Sequence, residues 1–215
     1  MYTRDKKNIS IFLSSTFKDM QAERDWIKKI VLPKLQDTLY LYGINVQVTD
    51  LRWGIDTTSE REDKKESKIL HICLDAIERD KPYFIGLLGD RYGWIPPKER
   101  VHDVARDIDC DSDCSVTELE MIYGALGNSD LLEHSFFFYR DSGVYNSIPD
   151  EYLPVYVETE EYKKAKLGRL KASIDNRLAS VGQRAISYNA KWDTDKNTIC
   201  GLEDFGNKVY DALLN

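Results

Sequence analysis

The sequence has little of what marks secreted, membrane-spanning or phosphate-loop proteins. It contains only four cysteines in 215 residues, and residues 1–5 do not resemble the start of a signal peptide, so we expect reduced thiols. No apolar run is long enough to cross a bilayer. The G-x-x-x-x-G-K-[ST] motif is absent, which excludes a P-loop NTPase within this segment. A cytoplasmic protein is therefore expected.

The sequence also lacks an excess of positive charge. It has 30 Lys and Arg residues against 37 Asp and Glu, for a net charge of −7. Nonspecific binding to nucleic acids or to anionic membranes depends on clustered cations, so neither is expected as a partner. The hydrophobic fraction of 42% is enough for a sizeable core, and residues 1–215 are expected to form a single domain.

The strongest structural signal is Tyr83–Leu88, an almost unbroken apolar run between two helical patterns. Such a run is typical of a central parallel strand buried on both faces. Predicted strands and helices alternate along the chain, which favours an α/β, three-layer, flavodoxin-like fold with a five-stranded parallel sheet of order 2-1-3-4-5. The predicted strands are 9–13, 44–48, 83–88, 134–139 and 185–188.

Helices and loops fill the intervals between the strands. Apolar spacing predicts a helix from Ala22 that either stops near Pro33 or continues with a kink to Leu39. Further helices are predicted at 69–77, 116–126, 167–181 and 202–213, and loops at 56–67, 96–114 and 141–157.

The predicted strand order also places a site. In a 2-1-3-4-5 sheet the switch point lies between strands 1 and 3, and ligands bind beyond the carboxyl ends of the strands there. We therefore expect Ser14-Ser15 and Gly89-Asp90 to face each other across one crevice.

Five separated blocks of the sequence form a recognisable pattern: Ile11–Arg24, Asp50–Gly54, Ile85–Trp94, Ser115–Glu120 and Gly201–Gly206. Together they resemble a TIR-like domain of otherwise unknown function that stands N-terminal to NACHT-type (STAND) NTPase modules, as in bacterial NTPase–repeat proteins. The resemblance runs from residue 9 to about 214 and implies a TIR-like fold.

The resemblance to TIR domains implies a catalytic glutamate at the start of the helix after the third strand. Ser115, Thr117 and Glu120 fit the S-x-T-x-x-E pattern, and Glu118 is the rival carboxylate. The two glutamates are about 200° apart on a helix, so at most one can face the crevice. Glu120 is the preferred candidate.

TIR enzymes cleave the nicotinamide–ribose bond of NAD, so NAD is the implied substrate and no cofactor is expected. Nicotinamide leaves as a neutral molecule, and the reaction needs a carboxylate that stabilises an oxocarbenium-like transition state. Aromatic rings near the crevice could stack on the nicotinamide or the base. The candidate substrate-binding residues are Ser14, Ser15, Asp19, Asp50, Arg52, Trp53, Asp90, Arg91, Tyr92, Trp94, Ser115 and Thr117.

Structural roles compete with these assignments. Glu118 and Glu120 could serve only the helix dipole, and Asp90 with Arg91 could form an ion pair that closes the turn. Ser14 and Ser15, with Thr16, are better placed as helix-capping residues than as nucleophiles, because no His or Lys nearby offers a base.

The acidic segment before the third helix offers weaker candidates for metal sites. Five of its carboxylates fall on ligand positions of the calcium-loop template, but Ser112 stands where that template requires glycine. Cys110, Cys114 and His102 lack the fourth ligand of a zinc site. A solvated acidic loop is therefore favoured over a metal site. The calcium-loop residues are Asp107, Asp109, Asp111, Asp113 and Glu118.

Three functions remain open. The first is a self-associating TIR-like effector or signalling domain that cleaves NAD in innate immunity, antiphage defence or a stress response. The second is a non-enzymatic interaction module coupled to an adjacent NACHT NTPase. The third is a nucleoside base-exchange transferase that uses the same glutamate.

Overall fold

In the computed structural model, residues 7–50, 75, 83–97, 113–127 and 129–214 are described. Within these ranges the chain forms an α/β fold whose main sheet has five parallel strands in the order β2-β1-β3-β4-β5. The predicted three-layer architecture and strand order are therefore confirmed. The strands are β1 Lys7–Ser15, β2 Ile44–Thr49, β3 Tyr83–Leu88, β4 Ser135–Arg140 and β5 Ile186–Tyr188.

Helices cover both faces of the sheet, as right-handed crossovers between parallel strands require. No helix in the described ranges is long and apolar enough to cross a membrane. The helices are α1 Gln21–Trp26, α2 Leu32–Tyr40, α3 Val116–Met121, α4 Ser129–Leu132, α5 Leu153–Tyr156, α6 Glu161–Ser180 and α7 Glu203–Leu214.

Two hydrophobic layers hold the helices on the sheet. On one face, Ile11, Ile85 and Phe138 pack in one cluster with α1, α2 and α7 residues such as Leu35 and Phe205. We call this the α1 face. The other face packs its strand side chains, including Phe12, Phe84 and Phe137, with α3 and α6, and we call it the α3 face. Because side chains alternate along a strand, neighbouring residues of β1 and β3 serve opposite layers.

The first helix continues through Pro33 instead of stopping there. The π-helical segment Ile27–Val31 joins α1 to α2, and Pro33 lies in the first turn of α2. A proline has no backbone N–H and crowds the carbonyl four residues earlier, and π-helical geometry, although rare, occurs mostly as single turns inserted in α-helices. Of the two predicted alternatives, the structure shows continuation.

The second half of the chain differs from the prediction in two places. Segment 141–157 is not all loop, because it contains a 3₁₀ helix at Ser142–Ser147 and α5. A hairpin of β6 Lys191–Asp193 and β7 Thr198–Cys200 was not predicted. Three-residue strands and four-residue helices are too short to show a periodic pattern. The predicted loop 56–67 and helix 69–77 lie outside the described residues, Asp75 excepted.

The cysteines also differ from expectation. Cys200 is a free thiol, whereas Cys114, buried just before α3, is disulfide-bonded. The expectation of four reduced thiols is therefore wrong for Cys114, since residue spacing alone does not show whether two sulfurs come within bonding distance.

Gly86 at the centre of β3 allows close packing on the α3 face. A Cβ atom there would lie 2.6 Å from Phe137 Cδ1, inside a layer that is fully buried. We expect Gly86→Ala to lower the free energy of unfolding by about 1–3 kcal/mol through overpacking, measured by urea denaturation.

The matched control for this substitution is Gly168→Ala in α6. A Cβ at Gly168 would meet nothing within 4 Å, and alanine is favoured over glycine in a helix by about 1 kcal/mol. We expect Gly168→Ala to stabilise the protein. A Gly86→Ala variant as stable as the parent chain would contradict the close packing.

Candidate active site

Two serines end β1 and point to opposite faces of the sheet. Ser14 is paired in register with Gly86 of β3, and Ser15 with Leu87. Both serines are fully buried. Ser14 lies on the α3 face and Ser15 on the α1 face, so the predicted crevice residues divide between the two layers.

The start of α3 is fixed by a side-chain cap. The Ser115 Oγ accepts a hydrogen bond of 3.1 Å from the backbone N–H of Glu118, and the backbone N–H of Val116 donates to the carbonyl of Trp94. These bonds satisfy N–H groups that a helix start leaves without partners. They also tie α3 to the turn after β3.

Glu120 meets Ser14 in the interior. The Ser14 hydroxyl donates a hydrogen bond of 2.6 Å to Glu120 Oε2. Glu120 is buried, with 3% of its surface exposed. This bond joins the carboxyl end of β1 to α3 at the switch point. Of the two candidate glutamates, Glu120 is therefore the one that contacts the end of β1.

Glu118 has a different partner. The Tyr92 hydroxyl donates to Glu118 Oε2 and accepts a hydrogen bond of 3.2 Å from the Ser115 N–H. Burial, followed by the contact with Glu118, raises the pKa of Tyr92 above its ordinary value. Tyr92 therefore lies in the core and holds the start of α3, where it cannot present its ring to a ligand.

We expect Tyr92→Phe to lower the free energy of unfolding by about 1–2 kcal/mol. The substitution keeps the buried ring but removes the hydroxyl that serves Glu118 and Ser115. Thermal and urea unfolding would measure the change, with Tyr42→Phe as control because Tyr42 is 71% exposed. Equal stability of the two variants would show that the hydroxyl contributes nothing.

The turns after β1 and β3 touch each other. Gly93 has a φ of +94°, and a Cβ there would lie 3.0 Å from Thr16 Cγ2 and 3.4 Å from Thr117 Oγ1. Glycine meets both requirements, since it adopts positive φ without strain and leaves room for the neighbouring turn. The two sides of the predicted crevice are therefore in direct contact at Thr16 and Gly93.

On the α1 face, Arg24 joins the ends of β1 and β2. Its Nη1 donates a hydrogen bond of 2.6 Å to Ser15 Oγ, and its Nη2 forms an ion pair with Asp50. The Arg24 side chain is completely buried. Ser15 and Asp50 thus belong to a structural network across the sheet from Glu120.

Asp90 and Arg91 do not pair with each other, so the ion pair weighed from sequence is wrong. Asp90 Oδ1 accepts from Lys171 Nζ at 3.0 Å, and Arg91 Nη1 donates to the Pro154 carbonyl at 2.7 Å. Adjacent residues in an extended segment point to opposite sides, which separates their charges. Trp94 remains 43% exposed near this turn and is available for stacking.

Several predicted residues lie outside the described part of the chain: Arg52, Trp53, His102, Asp107, Asp109, Cys110 and Asp111. Of the other calcium-loop candidates, Asp113 accepts from Lys166 Nζ at 2.8 Å, and Glu118 is bound by Tyr92. Within the described ranges, no group of three His, Cys, Asp or Glu side chains is placed to hold a metal ion.

Sequence reasoning missed a buried group that we call the acid cluster: Asp19, Glu23 and Arg140. Arg140 Nη1 donates to Glu23 Oε1 at 2.8 Å and to the Asp19 carbonyl at 2.7 Å, and the Tyr188 hydroxyl donates to Glu23 Oε1 at 3.0 Å. Asp19 therefore faces Arg140 on the α1 face. The spacing of Asp19 and Glu23 by one helical turn was the available signal.

A separate cavity of about 400 Å³ lies beyond the ends of β4 and β5. None of the residues predicted for the site lines it. Its lining is formed by Asp141, Gly143, Val144, Ser147, Asn189, Ala190, Lys191 and Trp192.

Comparison with known proteins shows relatives that are much longer than this chain. It is 31% identical over 211 residues to the rat "Telomerase protein component 1", and the match covers 94% of this chain and 8% of that protein. It is 26% identical over 205 residues to the human "Putative tetratricopeptide repeat protein 41", covering 80% of this chain and 16% of that protein. The chain thus spans less than a fifth of the length of these relatives.

A third relative shares a shorter segment. The mouse "NACHT and WD repeat domain-containing protein 2" is 37% identical over 93 residues, which is 41% of this chain and 5% of that protein. Residues 10–178 match the family described as "Domain of unknown function (DUF4062)". That match includes both Ser14 and Glu120, and most of the chain falls within it. The chain belongs to this family.

Proposed function

We propose that the chain is a TIR-like effector domain that cleaves the nicotinamide–ribose bond of NAD, with Glu120 as the catalytic carboxylate. The observation that carries this proposal is the hydrogen bond from Ser14 to Glu120. It puts a carboxylate at the switch point of a 2-1-3-4-5 sheet, where open α/β folds bind their ligands.

The reaction would need little from the protein besides this carboxylate. Water adds to C1 of the ribose as the bond to nicotinamide breaks, and the products are nicotinamide, ADP-ribose and one proton. Glu120 would hold a ribose hydroxyl and stabilise the positive charge that develops on the sugar. Ser14 would fix the orientation of Glu120, and the exposed Trp94 ring would stack on the nicotinamide or the adenine.

The relatives support a modular role. The name of one mouse relative contains both a NACHT and a WD repeat domain, and this chain matches only 5% of that protein. We infer that the domain adjoins a NACHT-type NTPase module, works in the cytoplasm and acts in a defence or stress response after self-association.

A second candidate is a non-enzymatic interaction module. The burial of Glu120 favours it, because a carboxylate at 3% exposure has to be uncovered before a substrate can reach it. The exposed side chains Tyr40, Leu41 and Tyr42, at 65%, 76% and 71%, form an apolar patch suited to contact with a second copy. Base exchange is the third candidate and would use Glu120 in the same way.

The test is to incubate the 215-residue chain with NAD at high concentration and to follow nicotinamide by chromatography, beside a known TIR enzyme. Release of nicotinamide with ADP-ribose supports hydrolysis. Release only when a second pyridine base is added, with that base incorporated into a new dinucleotide, would assign base exchange. No release while the reference enzyme is active rejects the enzymatic proposal, and sedimentation would then test self-association.

A further inference from the structure

The acid cluster contains more acceptors than donors. The Oε2 of Glu23 is buried and has no hydrogen-bond partner among the residues that the structure describes, and the buried Asp19 carboxylate lies 3.6 Å from Arg140 Nη2. Asp19 is 1% exposed and Glu23 is fully buried. Buried polar atoms are rarely left in this state, because a hydrogen bond that is not made in the interior destabilises the fold.

The charges of the acid cluster are also unbalanced. Two carboxyl groups face a single guanidinium, since Arg140 lies 2.8 Å from Glu23 Oε1 and 3.6 Å from Asp19 Oδ2. Arg24, the next residue after Glu23, is engaged with Asp50. An uncompensated negative charge in such an interior is costly.

The remaining groups around the cluster are neutral tyrosines. Tyr145 from the 3₁₀ helix and Tyr156 from α5 lie against the guanidinium, with ring centres 5.6 and 5.5 Å from Arg140 Cζ, and Tyr188 of β5 donates to Glu23. Burial is the main cause that raises the pKa of all three tyrosines. They supply no positive charge that could balance Asp19.

We propose that the acid cluster is a pH-sensitive switch for the β1–α1 turn, residues 16–20: a proton on Asp19 fixes the turn against the end of β4, and loss of that proton loosens it. Protonation converts one Asp19 oxygen from acceptor to donor. The new O–H adds a donor to the acid cluster, in which Glu23 Oε2 has no partner among the described residues, and the proton neutralises one of the two carboxyl groups that face Arg140.

The direction of the pH effect follows from the titration of Asp19. Burial raises the pKa of Asp19 from 3.8 to about 6, although Arg140 acts in the opposite direction. A carboxyl group that binds its proton more tightly in the folded state stabilises the fold at low pH, and this contribution is lost as pH rises from about 4 to 6. The difference corresponds to a change on the order of 100-fold in the folding equilibrium constant.

The turn that responds to this proton is one wall of the candidate site. Thr16 packs against Gly93 of the opposite turn, and Ser14 lies two residues before it. Loss of the proton would therefore loosen the contact between the turns after β1 and β3.

The test compares Asp19→Asn with the parent chain across pH 4.5–8. Asparagine imitates the protonated, neutral side chain and cannot titrate. We expect the folding equilibrium constant of the variant to exceed that of the parent by roughly 10- to 100-fold at pH 7.5, with the gap narrowing steadily as the pH is lowered to 4.5. Asp150→Asn is the control, because Asp150 is exposed, and it should match the parent at every pH.

Hydrogen exchange of residues 16–20 provides the second measurement. Corrected for intrinsic rates, protection of this turn should fall between pH 5 and 7.5 in the parent chain and stay constant in Asp19→Asn. The proposal is overturned if Asp19→Asn destabilises the chain by the same amount at pH 5 and at pH 7.5. It is also overturned if the protection of the turn in the parent chain does not depend on pH.

Discussion

Arg140→Met is expected to lower the free energy of unfolding by about 3–5 kcal/mol at neutral pH. Methionine keeps much of the side-chain volume but removes the charge that faces Glu23 and Asp19. Both carboxyl groups would stay buried without a cation, and the two donors to Glu23 and to the Asp19 carbonyl would be lost. Urea denaturation monitored by circular dichroism measures the effect.

Arg169→Met is the matched control for this substitution, because Arg169 is exposed on α6 and surface substitutions usually change stability by about 0.5 kcal/mol or less. Adding Glu23→Gln to Arg140→Met should recover part of the loss, since it removes one of the stranded charges. An Arg140→Met variant no less stable than Arg169→Met would show that the cluster does not hold α1 to β4.

Glu120→Gln is expected to reduce nicotinamide release by about 10²–10³-fold while leaving the melting temperature nearly unchanged. The amide oxygen of glutamine can still accept the Ser14 hydrogen bond, so the packing is retained. What is lost is the negative charge that stabilises the oxocarbenium-like transition state. Initial rates at saturating NAD, together with thermal melts, separate the catalytic effect from a folding defect.

Ser14→Ala is expected to give a smaller loss of rate, roughly 10- to 100-fold, because a hydrogen bond to a charged group contributes about 1.5–3 kcal/mol. The carboxylate would remain but its orientation would no longer be fixed. A Ser14→Ala variant as active as the parent would show that this hydrogen bond has no role in catalysis.

The main sheet could be predicted from the sequence because its signals are local. The apolar run at Tyr83–Leu88 identified the central strand, and the alternation of elements then restricted the topology to a few parallel orders. The position of Ser14 at the carboxyl edge of the sheet followed from the same logic, whereas Glu120 was proposed from the resemblance to TIR domains, and the hydrogen bond between the two was not predicted.

Long-range charge pairing could not be predicted in this way. Glu23 and Arg140 are separated by 117 positions, and nothing in the residues around either one indicates the other. The sequence instead suggested a pair between the neighbours Asp90 and Arg91. In the structure, Asp90 pairs with Lys171, and Arg91 donates to the Pro154 carbonyl. Proximity in sequence is a poor guide to ion pairs on a twisted sheet.

The measurement that tests the central claim most directly is the rate of nicotinamide release by Glu118→Gln beside that of Glu120→Gln. The two glutamates share one helix start, but Glu118 is held by Tyr92 and Glu120 by Ser14. We predict that Glu118→Gln keeps most of the activity of the parent chain and that Glu120→Gln loses nearly all of it. Equal rates for Glu120→Gln and the parent, or loss of activity in Glu118→Gln alone, would contradict the assignment of Glu120.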